Sequence, residues 1–361
     1  MNRTTLIALA AGSAALAAPA AASAAMAYVT TPRNINVQRQ VMVANDDGTG
    51  ARAIAPGSSA AISPDGTKVA YQADSQSSDT GFEATVVDIA TGASASLGTS
   101  CASGLWWSPN SQLLACQTQS ANAKGYVTGN GLGLATVPAS LAGVSSIPVT
   151  DYIAAPGNFV DIGVAFSPDS SSIAFAWRPN SSTGMTSLYV APLSNAGARV
   201  KVLARAGGPV WGAPGIVASQ LTRVREKVGP SVMRTVHSQL WLVQPNGTGA
   251  RRITSYKAKG LTTGPFAVAW APSQGLLAGG VGGQDQEDLG TVDVATGKVR
   301  VFVRGQLADP VAFSADGQRI LFSSGMEGGP RSIRVIGVNG GSPRTLVKNA
   351  GGPSVSAGWN G

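Results

Sequence analysis

Histidine, cysteine and charge are the scarce ingredients of this 361-residue chain: one His, two Cys and 12% charged residues. The single histidine, His237, excludes multi-histidine metal centres and leaves any Ser-His-Asp triad dependent on one side chain. His237 is read as a solvated loop residue in the insert "LTRVREKVGPSVMRTVHSQ". No GxSxG elbow occurs, which removes the usual hydrolase nucleophile. Acidic residues are fewer than basic ones, 18 against 26, giving a net charge of +8. The positives are scattered, with no basic run interleaved with aromatics, so nucleic acid is not an expected partner. What is abundant is glycine (46) with proline (21) and 43% hydrophobic residues. That mixture predicts a folded all-β chain of short strands and tight turns.

Residues 1–25 stand apart: Arg3, the short apolar stretch "LIALAAGSAALAA" and the small residues "AASAA" form an export leader. The stretch is short, alanine-rich and interrupted at Pro19, whereas a membrane span needs roughly 20 strongly apolar residues. With the leader removed, the net charge falls from +8 to +7 through loss of Arg3, and no transmembrane segment is expected. No cysteine precedes Cys101, so a lipid-modified N-terminus is excluded. The expected product is 26–361, a single domain, secreted or held in the periplasm or cell envelope. Cys101 and Cys116 flank the turn "SPNS" and either bridge in an oxidising compartment or remain two buried thiols.

The chain repeats itself. "AAISPDGTKVAYQA" (60–73), "LWWSPNSQLLACQT" (105–118), "VAFSPDSSSIAFAW" (164–177) and "VAFSADGQRILFSS" (311–324) share the layout apolar strand, turn, apolar strand. "PVWGAPGIVAS" (209–219) and "VAWAPSQGLLAGG" (268–280) are degraded copies, and the anchors Ser63, Ser108, Ser167, Gly212, Ala271 and Ser314 are 45, 59, 45, 59 and 43 residues apart. In the turn, Pro fixes φ, Asp bonds nearby amides and Gly accepts positive φ. Between anchors runs a second hairpin with a Gly or Asn turn, present seven times, for example "VMVANDDGTGARAI" and "LWLVQPNGTGARRI". It supplies the third and outermost strands of four-stranded blades.

Seven outer hairpins meet six inner ones. The unmatched half is split between the ends: "SAGWNG" at the C-terminus followed by "MAYVTT" from Met26 reads like "AFSADG" followed by "QRILFSS", and Trp359 lies 46 residues after Phe313. The expected fold is therefore an all-β, seven-bladed β-propeller, closed by pairing of the C-terminal strand (within Pro353–Gly361) with the N-terminal strands. A six-bladed ring is the alternative. Closure of this kind hides both sheet edges. The seven tryptophans mostly occupy repeat-core positions and are read as packing between blades.

Through "SPDG" at Ser63, "SPD" at Ser167 and the turns "NDDGTGAR" and "PNGTGARRIT", nearly all of residues 26–361 resembles the TolB-type propeller repeat. This repeat occurs in periplasmic and secreted bacterial proteins and in the propeller halves of some peptidases. The resemblance implies the fold, while those residues build turns whatever the protein binds. No room is expected within these residues for a separate N-terminal α/β domain of the TolB kind.

Two acidic stretches, "GGQDQEDLG" (282–290) and "NDDGTG" (45–50), carry clustered carboxylates of the type that holds Ca²⁺, without the full ligand spacing of a calcium loop. They are read as polar turns, and no cofactor is assigned. Binding is expected at the channel mouth, in the loops entering each innermost strand: "TDYIAAPGN", "SYKAKGLTTGP", "RGQLADP" and "KNAGGP". These place Asp151, Tyr152, Tyr256, Lys257, Lys259 and Arg304 around one end of the channel. The expected function is non-catalytic binding of a protein or cell-envelope component by a monomer. The alternative is a propeller enzyme acting on carbohydrate or peptide, with Asp151 or His237 at work.

Overall fold

The computed structural model describes residues 25–32, 37–73, 83–98, 101, 103–124, 127–155, 158–179, 185–228, 231–257, 264–271, 275–282, 287–305, 307–325 and 330–360. The expected leader thus lies outside the described residues except for Ala25. Among those described, 28 strands pair as seven four-stranded antiparallel sets, and the one helical turn is Ala196–Ala198. Single parallel bridges, Asn130 to Phe159 and Glu287 to Leu307, join the third set to the fourth and the sixth to the seventh.

The innermost strands are Ala350–Val355, Ser59–Ile62, Ser103–Trp107, Asn158–Phe166, Ala206–Gly212, Gly264–Ala271 and Leu307–Phe313. Each touches the next, and the last touches the first, so the sets form a circle. Packing follows the same order. Among the described residues, buried apolar side chains fall into seven clusters, and each cluster lies between two consecutive sets. A radial arrangement buries both faces of every second strand. This explains why "MAYV", "IAFAW" and "RILF" are continuous apolar runs instead of alternating ones: Met26, Ala27, Ile173, Ala174, Phe175, Ala176, Ile320, Leu321 and Phe322 are all fully buried.

The repeated turn is built from one buried serine. Ser63, Ser108, Ser167 and Ser314 each donate Oγ–H to the carboxylate or amide oxygen two residues on (Asp65, Asn110, Asp169, Asp316). Each also accepts, at 2.9 Å, the backbone N–H five residues on. The hydroxyl therefore clamps both limbs of the hairpin. Where Gly66 closes the first turn with φ 72°, Ser111 and Ser170 take the same left-handed position with φ 60° and 58°. That conformation costs a non-glycine residue roughly 1–2 kcal/mol. Here it points each hydroxyl at the preceding set, where Ser111 Oγ accepts from Asp65 N–H (3.0 Å) and Ser170 Oγ from Asn110 N–H (3.2 Å). Serine at these turns is thus an inter-set link as well as a turn residue.

The two chain ends complete one set. Ala350–Val355 pairs antiparallel with Met26–Thr30, through Met26 with Val355, Ala27 with Ser354, Val29 with Gly351 and Thr30 with Ala350. Thr31 N–H donates to Asn349 C=O (2.8 Å) and Ser356 N–H to Ala25 C=O (2.9 Å). The paired strand begins three residues before the expected Pro353. The correspondence of "SAGWNG" with "AFSADG" is also shifted by two residues. Trp359 N–H returns to Ser356 C=O (3.2 Å) as Gly317 N–H returns to Ser314 C=O (2.8 Å), so Ser356 is the counterpart of Ser314 and Trp359 stands at the glycine position. Its indole is fully buried between the seventh and first sets, and Nε1–H donates to Asp46 C=O (3.1 Å). Other tryptophans serve the same packing: Trp107 and Trp270 donate Nε1–H to Ala61 and Val210 carbonyls of the preceding innermost strands.

Two local expectations are corrected and one open question is resolved. Val149–Ile153 is the outermost strand of the third set, paired with Val127–Thr136, so Asp151 and Tyr152 are strand residues and not part of an entering loop. The chain reaches that strand late because the preceding connection docks on the second set, with Leu141 and Ile147 buried and Ile147 N–H bonded to Ser96 C=O. His237 belongs to a strand as well. Gly215–Val228 and Ser231–Val243 pair continuously from Ile216–Val243 to Val228–Ser231, placing half-buried His237 opposite Thr222. The open question about the cysteines resolves as a Cys101–Cys116 disulfide, with Cα atoms 5.4 Å apart.

Trp359→Ala is expected to lower stability by about 3–5 kcal/mol, as a large core deletion, measured by denaturant unfolding. An undiminished transition would show that the C-terminal turn does not hold the ring. The disulfide closes a short loop of 15 residues, so reduction should remove about 3 kcal/mol. Unfolding of the Cys101→Ser, Cys116→Ser double variant against the oxidised protein checks this.

Candidate functional site

The connections from second to third strands and from fourth to next first strands emerge on one face of the ring. On that face the sixth set gathers a group of polar side chains. Its third strand, Glu287–Asp293, opens with two acids in succession. Because successive strand residues point to opposite faces, Asp288 addresses the fifth set and Glu287 the seventh.

On the Asp288 side, a recess of about 380 Å³ runs between the fifth and sixth sets, lined in part by Ser255, Tyr256, Asp288, Thr296 and Arg304. Asp288 accepts from Gly305 N–H (3.1 Å) and lies 3.7 Å from the Arg304 guanidinium, which is largely exposed. Tyr256 is positioned through its backbone, since its N–H donates to Gln239 Oε1 (3.0 Å) and its C=O accepts from Gln239 Nε2–H (2.6 Å). Thr254 Oγ1–H also donates to Gln239 Oε1, so the amide is held on both sides. Lys257 is exposed next to Tyr256.

On the Glu287 side, Asp309 forms an ion pair with Arg331. The hydrogen bond to Asp309, with burial and the Asp309 charge, pushes the Glu287 carboxyl up to about 7, against an opposing pull from Arg331. Glu287 is therefore largely protonated in mildly acidic solution and donates to Asp309.

Of the six residues expected at the mouth, the structure brings Tyr256 and Arg304 into one recess, and Lys257 is exposed in the next position along the chain. Lys259 lies outside the described residues. Asp151 is exposed on the third set, while Tyr152 is turned inward: its hydroxyl donates to Pro192 C=O (2.7 Å) and its ring packs edge-on to Phe175. Burial pushes the Tyr152 hydroxyl up to about 12, eased by Arg199. The sequence reading missed Glu287, Asp288, Asp309 and Arg331 as a group. The available signal was an acidic pair at a strand start, which alternation sends to two different neighbours.

Among the described residues, no three His, Cys, Asp or Glu side chains converge as a metal site. In "NDDGTG", Asp47 accepts from Thr49 N–H and Oγ1–H, closing an ordinary polar turn. Residues 283–286 of the other acidic stretch lie outside the described residues. No helix among the described residues is long and apolar enough to cross a membrane.

No family model and no curated protein matches the chain. Solved structures do match, and they define the class: a TolB-like β-propeller. TolB from Acinetobacter baumannii superposes with a TM-score of 0.53 at 14% identity, over 93% of this chain and 67% of that one. The propeller domain of the Trilobed protease from Pyrococcus furiosus, which has an open velcro topology, gives 0.60 at 13% identity, over 90% and 93%. Here, by contrast, the end strands are paired. Puromycin hydrolase gives 0.58 at 17% identity, and this chain spans 52% of its length. These likenesses concern the fold.

Glu287 provides a pH test. Its folded pKa stands above its ordinary value, so its contribution is present at low pH and lost as pH rises through about 7. Glu287→Gln, which keeps the hydrogen bond without the charge, should be more stable than the parent at pH 8.5 by on the order of 1 kcal/mol after solvent screening. The difference should vanish near pH 4. Parallel melting curves at the two pH values would refute the shift.

Proposed function

We propose that this protein is an exported, seven-bladed propeller that binds a protein or cell-envelope component through the face carrying the recess between its fifth and sixth sets. The observation that supports this most is the meeting of Tyr256, Arg304 and Asp288 in one recess, built by two sequence-distant segments. An aromatic ring anchored by its backbone, beside a guanidinium held near an acid, suits a partner that presents a carboxylate and an apolar group together. Lys257 adds charge at the rim, and the net positive chain favours approach of an acidic surface. Exposed Asp151 lies on the third set, away from the recess lining, and Tyr152 serves packing.

Immobilised protein should capture a component from envelope extracts. The Lys257→Glu, Arg304→Glu double variant should reduce that capture at least about tenfold, equivalent to about 1.4 kcal/mol, with an unchanged melting temperature. Capture that survives the double charge reversal would remove the recess from the proposal.

An enzyme acting on carbohydrate or peptide is the second reading. It draws on the peptidase propellers among the similar structures and on the hydrogen-bonded Glu287–Asp309 pair. It requires turnover that Glu287→Gln abolishes, whereas binding at the recess should be insensitive to that change.

A further inference from the structure

We propose that the long ribbon of the fifth set is a second docking surface, which takes an acidic, extended segment of a partner protein as an added β-strand. The recess between the fifth and sixth sets makes no use of this ribbon, so the inference goes beyond the function proposed above.

The pairing of Gly215–Val228 with Ser231–Val243 outruns the strands on both sides of it. On the inner side, Ala206–Gly212 pairs only as far as Ala206 with Gln220, and the last bond from that side runs from Leu221 N–H to Arg205 C=O (2.8 Å). On the outer side, Arg251–Arg252 reaches Trp241 and Leu242, and the backbone contact ends at Leu240 C=O, which accepts from Ile253 N–H (2.7 Å). From 222 to 228 the strand therefore has one pairing partner among the described residues instead of two. Every second residue of such an edge directs its N–H and C=O outward, where water or another strand must take them. Another backbone matches that row of donors and acceptors along its length, which a layer of phosphate groups does not.

Charge selects the class of strand. Arg223, Arg225 and Lys227 occupy alternate positions, hence one phase of the strand with a spacing of roughly 7 Å, and Arg234 stands opposite Arg225 in the register. Like charges directly opposite one another are unfavourable. Glu226, the one acid between 221 and 238, is out of phase with all three cations of its strand. The Arg223 and Arg225 side chains are exposed, and among the described residues neither makes a hydrogen bond or ion pair. A strand with an acid at every second position would set its carboxylates beside these guanidinium groups while its backbone completes the edge. A second copy of this chain fits poorly, because its own ribbon brings the same cations to the seam. The ribbon also stands beside the recess: Gln239, which holds Tyr256, follows His237 by two residues on the same strand.

The probe is a fluorescent seven-residue peptide of alternating Glu and Thr, titrated by polarisation into the folded protein. Saturable binding is expected, and the Arg223→Glu, Arg225→Glu double variant should weaken it at least about tenfold with an unchanged melting temperature. A Lys and Thr peptide of the same length should bind at least about tenfold more weakly than the acidic one. Two backbone-methylated versions, one methylated on the Glu nitrogens and the other on the Thr nitrogens, separate strand addition from charge attraction, since only one set of N–H groups faces the ribbon edge. One version should bind like the parent peptide and the other should lose binding. Equal binding of both versions overturns strand addition, as does absence of peptide binding, tighter binding to phosphatidylglycerol vesicles, or self-association of the protein through the ribbon in sedimentation. The Lys257→Glu, Arg304→Glu variant should leave peptide binding unchanged, so failure of the recess and failure of the ribbon are read separately.

Discussion

The ring depends on one antiparallel pairing, that of Ala350–Val355 with Met26–Thr30. Every other set is built from strands that follow one another along the chain, so its hairpins form through local turns. This set alone must bring the two ends of the polypeptide together, at the loop-closure cost of the whole chain. Without it, the flanks of the second and seventh sets would expose apolar faces, and two strand edges would be left unpaired. The buried indole of Trp359, hydrogen-bonded to Asp46 and packed against Leu321, Ile333 and Val335, supplies much of the burial that offsets the cost.

The same constraint organises the turns. A hairpin closed by a buried serine hydroxyl is rigid enough to present its outer atoms to the neighbouring set, as Ser111 and Ser170 do. The series runs into the closure itself: Ala315 N–H donates to Trp359 C=O, and Ala357 N–H to Pro64 C=O, both at 2.8–2.9 Å. The C-terminal turn therefore occupies the place of a repeat turn in the hydrogen-bonding pattern, although it lacks the Ser-Pro-Asp-Gly sequence. Rigidity on this face frees the opposite one to vary. There the connections differ most in length, up to the long ribbon of Gly215–Val228 with Ser231–Val243.

The polar groups on the variable face divide between two roles. Asp309 pairs with Arg331, and its hydrogen bond, with burial and the Asp309 charge, favours the protonated form of Glu287 against the pull of Arg331, a local electrostatic balance inside the seam between the sixth and seventh sets. Tyr256 and Arg304 face outward into the neighbouring seam, fixed by Gln239 and Asp288. A ring of radial sheets naturally produces such seams, because adjacent sheets diverge toward the outside and leave room that side chains do not fill. The similar structures share this architecture at identities of 11–17%.

The primary sequence was sufficient for the class of fold, the strand layout and the joining of the ends. These follow from local rules repeated many times: turn residues with restricted φ, apolar runs of strand length, and a surplus outer hairpin that demands a partner. Tertiary structure decided what those rules do not reach. Asp151 and Tyr152 resemble loop residues until the docking of Leu141 and Ile147 delays the outermost strand of the third set. His237 belongs to a strand because its ribbon continues the pairing of its hairpin far past the usual strand length. Glu287 meets Asp309, and Tyr256 meets Arg304, only when consecutive sheets are placed side by side. A repeat pattern specifies each sheet, whereas the chemistry between sheets depends on pairs of residues that no single repeat contains.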